Sequence, residues 1–122
     1  MNGKEYVKEA MRTNDGRHDE RLTRVCRYNP ETAQVLNGCL GLAGEAGEFL
    51  EMVKKAIFHE TQIEKSRLKK ELGDLMWYVA LICHAFGWDL DEIMEMNIEK
   101  LKARYPDGFD TEKSAHRKEG DV

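Results

Sequence analysis

The chain has 122 residues, which leads us to expect one domain built around one hydrophobic core. Nineteen Lys and Arg against 23 Asp and Glu give a formal charge of −4, the wrong balance for a nucleic-acid-binding domain. Hydrophobic residues make up 41% of the chain, enough for a core but marginal for a single layer of helices this small.

The sequence reads as helical almost throughout, with no alternating apolar–polar run long enough for a strand. Lys4 to Arg12 suits a short helix with Tyr6, Val7 and Met11 turned inward, and Asn14-Asp15-Gly16 reads as a turn. Leu22 to Tyr28 fits either a helix or irregular chain. Pro30 then suits the first turn of a long helix over about Glu31–Phe58. Gly38, Gly41, Gly44 and Gly47 lower its propensity and permit close approach of another helix or a ligand. A polar turn over His59–Lys65 leads into a second helix, about Glu64–Phe86, stopped by Gly87. Asp89, with Glu92 three residues on, caps a third helix that ends near Tyr105 and Pro106. Thr111 to Val122 is polar and charged and reads as a loose tail. The expected organisation is a single domain over 1–122, with its core at about 31–106.

Cys26, Cys39 and Cys83 are far apart and form no C-x-x-C pair, which disfavours a disulfide framework or structural zinc and points to a reducing, cytoplasmic setting. No apolar stretch follows a basic N-terminus, so no secretory leader is expected. The longest apolar run, Leu75 to Cys83, is too short to span a bilayer.

Two carboxylate pairs at i, i+3 spacing carry the chemistry. Glu45 and Glu48 lie on the first long helix, and Glu71 and Asp74 on the second. Wound at about 100° per residue, each pair falls at one margin of an apolar stripe. One stripe runs through Leu42, Phe49 and Val53, and the other through Leu75, Val79 and Ile82. Asn97, Lys100 and Arg104 fall at the matching margin of the third helix. A glutamate at a helix margin is usually just solvated. Here the second helix is apolar nearly all round, with Trp77, Tyr78 and Leu81 on its other faces, so it reads as buried. Its carboxylates then need cations. Clustered oxygen ligands suit Mg²⁺, with Mn²⁺ as the alternative, better than zinc. Acidic groups holding a metal beside Lys and Arg suit a phosphate substrate.

Among other residues, Lys55 falls on the Glu48 face two turns on, and Arg67 lies one turn before Glu71. Either reaches toward phosphate, though the simpler reading is a surface cation. Trp77 and Trp88 read as core or interface, and His84 as a core histidine.

The run Gly41-Leu42-Ala43-Gly44-Glu45-Ala46-Gly47-Glu48 and the run Glu71-Leu72-Gly73-Asp74-Leu75-Met76-Trp77-Tyr78 resemble the E-x-x-E … E-x-x-D signature of the MazG-like, all-α nucleoside triphosphate pyrophosphohydrolases. Asn97 to Pro106 resembles that family's N-x-x-K-L-x-x-R-Y stretch. The resemblance implies an all-α, MazG-like helical bundle completed by oligomerisation, as a homodimer or tetramer. It implies Mg²⁺ on Glu45, Glu48, Glu71 and Asp74, and substrate contacts from Asn97, Lys100 and Arg104. It also implies cleavage of an NTP or dNTP between its α- and β-phosphates, with Glu48 as the catalytic carboxylate at the attacking water. The alternatives are a non-catalytic helical module that binds nucleotide or a partner, and a related phosphoribosyl-ATP-type pyrophosphohydrolase.

Overall fold

The computed structural model describes residues 1–116, and every regular element in them is helical. They form two compact units, Met1–Ala33 and the chain from Gln34 onward.

The first unit contains α1 (Gly3–Ala10), a 3₁₀ turn over Met11–Thr13, and α2 (His18–Tyr28). Asn2 and Glu5 start α1 with a reciprocal capping box, the Asn2 side chain accepting from the Glu5 amide and the Glu5 carboxylate from the Asn2 amide. Gly16, at φ 70°, turns the chain into α2, where Arg17 makes a two-pronged pair with Glu20 and Arg21 pairs with Asp15. The segment that fits helix or irregular chain from sequence is thus helical and begins earlier, at His18. Tyr6, Val7 and Met11 are not inward: all three are exposed, Tyr6 by 63%. They share one stripe, and no other part of the first unit covers it.

The second unit opens with α3 (Thr32–Phe58), which begins at its boundary, followed by α4 (Lys65–Phe86) and α5 (Leu90–Arg104). These agree with the sequence boundaries to within a residue or so. Gly87 closes α4 at φ 68°, with the Gly87 and Trp88 amides donating to the carbonyls of His84 and Cys83. Asp89 caps α5 by accepting from the Asp91 amide at 3.0 Å. A short helix, α6 (Thr111–Ala115), occupies the start of the expected tail, with the Asp110 carboxylate accepting from the Glu112 amide. Residues 117–122 of that tail lie outside the described residues.

α3 and α4 form an antiparallel hairpin with a narrow seam. A methyl group added at Gly38 would come within 2.5 Å of the Ile82 side chain, and one at Gly41 would run into the Tyr78 ring. The close approach expected from these two glycines is therefore made by α4. Around that seam little is sealed. Among the described residues Cys83 is the only buried hydrophobic. Leu40, Leu50, Leu72, Met76 and Trp77 are each at least half exposed, and His84 is exposed as well. The expectation of an α4 buried on all sides is not met within one chain, because the hairpin covers only one face of it. Trp88, also exposed, stacks on Phe86 at 4.3 Å between ring centres.

Candidate active site

Along α3, the residues drawn into the hairpin recur at helical spacing: Gly38, Leu42, Glu45, Phe49, Met52 and Ala56. Along α4 they are Glu71, Leu75, Tyr78, Ile82 and Ala85. Glu45 and Glu71 therefore sit in the packed faces, not at the margins where the winding of the sequence places them. Their partners Glu48 and Asp74, three residues on, are exposed. Each pair is split into an inner and an outer carboxylate.

The hairpin brings three of the four together. Carboxylate oxygens of Glu45, Glu71 and Asp74 lie within 4.8 Å of one another. Glu48 stays outside this group, though its charge is felt at Glu45. Both inner residues are half-buried as a whole, yet one oxygen on each, Oε2, is shut off from solvent with no hydrogen-bond partner.

The electrostatics follow. The Glu45 pKa rises to about 7, first through its hydrogen bond to Glu71, then by desolvation, then by the charges of Glu48, Glu71 and Asp74. Every one of these influences pushes the same way. With a proton on Glu45, the two inner residues form a carboxyl–carboxylate pair. Without it, anionic oxygens face each other with no donor between them.

Three convergent carboxylates, two of which each carry a sealed and unpartnered oxygen, fit a hard divalent cation such as Mg²⁺. Of the residues expected to contact substrate, Asn97 and Lys100 are exposed on α5. Arg104 is half-buried, its guanidinium 6.0 Å from the centre of the Tyr105 ring. Tyr105 in turn tilts against Phe109 at 5.3 Å. The outer edge of the hairpin carries a further feature that sequence reasoning left as surface, a cavity at the α3–α4 turn bordered by Lys55 and Arg67. Its signal in the sequence is the density of Lys and Arg around the turn. No described helix is long and apolar enough to cross a membrane.

A protein of Mycobacterium phage L5, "Gene 37 protein", is 39% identical to this chain over 69 residues, which cover 53% of this chain and 60% of that protein. The chain thus matches about 60% of the length of that relative. No solved structure matches. The family model for the MazG nucleotide pyrophosphohydrolase domain matches residues 35–109, a stretch that contains both carboxylate pairs and the Asn97–Arg104 segment. The chain belongs to the MazG nucleotide pyrophosphohydrolase domain family.

Proposed function

We propose that the protein is a Mg²⁺-dependent nucleotide pyrophosphohydrolase that cleaves an NTP or dNTP between the α- and β-phosphates, releasing a nucleoside monophosphate and pyrophosphate. The observation that carries this reading is the convergence of Glu45, Glu71 and Asp74, with two oxygens that have no partner among the described residues. In this reading those three residues, with Glu48 at the edge, hold the metal. Bound there, Mg²⁺, or Mn²⁺ in its place, would polarise phosphoryl oxygens and lower the pKa of a bound water.

The chain's own groups divide the remaining work. Glu48 is exposed and stands outside the tight group of three, so it has the freedom to orient the attacking water and take its proton. The water oxygen bonds to the α-phosphorus. The bond from that phosphorus to the α–β bridging oxygen breaks, and its electron pair leaves with pyrophosphate. The proton taken by Glu48 passes to solvent. Lys100 and Arg104 neutralise phosphate oxygens, Arg104 with the option of a two-pronged contact, and Asn97 supplies an amide to the substrate.

The working form is a homo-oligomer, a dimer or a tetramer. The exposed apolar side chains on α3 and α4, among them Leu40, Leu50, Leu72 and Met76, exceed what a chain of this size leaves uncovered in water. A second copy burying them would complete the bundle.

The test is a panel of canonical, deoxy and damaged nucleotides assayed for pyrophosphate release with Mg²⁺ and with Mn²⁺. Release is expected from at least one of them, and its loss in Glu48→Ala and Asp74→Ala. Full activity in both variants, purified free of host enzyme, would remove the reading.

A further inference from the structure

The carboxylate group leaves one neighbouring part of the hairpin unused. Met52 lies one helical turn beyond Glu48, and Leu68 one turn before Glu71. Between them the groove opens at the α3–α4 turn into a cavity of about 250 Å³. Met52, Ile63 and Leu68 contribute its apolar wall, and Lys55, Gln62 and Arg67 polar groups. Glu51 and Glu64 also line it.

Charge is segregated along this hairpin. Glu45, Glu48, Glu71 and Asp74 make one stretch acidic. The adjoining stretch, residues 51–70, carries Lys54, Lys55, Lys65, Arg67, Lys69 and Lys70 against Glu51, Glu60 and Glu64. The local excess is basic in a chain that is acidic overall.

The two cations in the cavity are held loosely. Lys55 Nζ is 3.8 Å from Glu51, and Arg67 Nε is 3.8 Å from Glu64. Both contacts are longer than a hydrogen bond and partly exposed, the weak kind of ion pair. Glu51 has a closer partner in Lys54 at 3.2 Å, which leaves Lys55 available to an incoming anion.

We propose that this cavity is the leaving-group subsite: it takes the β- and γ-phosphates of the substrate, with Lys55 and Arg67 holding the pyrophosphate as it departs. The inference rests on the pyrophosphohydrolase reading and deepens it. Cleavage between the α- and β-phosphates puts the α-phosphorus beside the carboxylate group. The terminal phosphates then extend to one side, carrying most of the substrate's charge and gaining more as the bond breaks. The turn supplies cations on that side, within about two helical turns, on the order of 10 Å. Both side chains remain open to solvent there, so their attraction for phosphate falls as salt rises.

The test uses inorganic pyrophosphate as probe, titrated calorimetrically into the full chain with and without Mg²⁺ and assayed as a product inhibitor. Lys55→Gln with Arg67→Gln is expected to weaken pyrophosphate binding by about tenfold or more, and to leave nucleoside monophosphate inhibition unchanged. Lys55→Arg with native Arg67 should retain binding, and circular dichroism should report intact helices in all variants. A nucleobase in the cavity is the competing occupant. It predicts altered discrimination among bases with pyrophosphate binding untouched, and that result overturns the proposal. Pyrophosphate binding that depends on Lys55 and Arg67 in a protein that turns over no nucleotide upholds the subsite while the reaction reading falls. Turnover with unaltered pyrophosphate binding in the double variant removes the subsite alone.

Discussion

Glu45 and Glu71 face each other across the α3–α4 hairpin, each with one oxygen closed to solvent and without a donor. A packed interface ordinarily excludes such an arrangement. It persists here only with a proton or a cation between the two residues, and each alternative leaves its own signature.

Without metal, the signature is a dependence of stability on pH. The folded-state pKa of Glu45 stands at about 7, above its ordinary 4.5, so folding tightens its hold on the proton. Its contribution to stability is fully present below pH 4.5 and is lost as pH rises through 7. Urea denaturation in EDTA should show metal-free protein weakening across that window. Glu45→Gln, which keeps the shape and cannot ionise, should flatten the slope. The comparison with the variant is needed because Asp15, Glu20 and Glu51, held below their ordinary values by Arg and Lys partners, work in the opposite direction. Saturating Mg²⁺ should raise the melting temperature more at pH 8 than at pH 5, with proton release on binding below pH 7. An identical pH slope in wild type and Glu45→Gln would dispose of the proton-sharing account.

The exposed apolar face of α4 leads to a second prediction. Met76 is 55% exposed and sits one turn from Leu72, well away from the hairpin seam. Met76→Glu is expected to shift sedimentation velocity from oligomer to monomer, with pyrophosphate-releasing activity falling in step. A fully monomeric wild type that retains activity on dilution would show that no second copy is needed.

Gly41 supplies a third. Its added methyl would strike the Tyr78 ring. Alanine normally stabilises a helix over glycine by about 1 kcal/mol, whereas overpacking a tight contact costs about 1–3 kcal/mol. Gly41→Ala should therefore be net destabilising in urea melts, and Tyr78→Leu in the same chain should recover much of the loss. A stabilised Gly41→Ala would mean that the two helices part at little cost.

The three long helices were legible because apolar periodicity and end signals agreed: Pro30 before α3, Gly87 after α4, and Asp89 before α5. Helix α6 was hidden in a polar stretch, although Asp110 before Glu112 is an ordinary capping signal. Burial was much less legible. A stripe such as Tyr6, Val7 and Met11 announces that something covers it without saying what, so inward faces were expected where the single chain leaves them bare. The carboxylates failed in the other direction. Helical winding put them at the margins of the apolar stripes, yet Glu45 and Glu71 share the packed faces, since a cation site can hold inside a seam groups that hydrophobicity alone would expel. The Lys and Arg at the turn were visible but read as surface, because the cavity beside them depends on how two distant stretches meet.

The tight seats of Gly38 against Ile82 and of Gly41 against Tyr78 also set the axial register of the hairpin. A slip of α4 by one turn, about 5.4 Å, in one direction would set Glu45 against Arg67 and Lys70. In the other it would set Glu45 against Leu75 and Tyr78. The first would neutralise the carboxylate and the second would strand it among apolar side chains. Two missing side chains thus act as a key in a lock: they admit only the alignment in which acid meets acid.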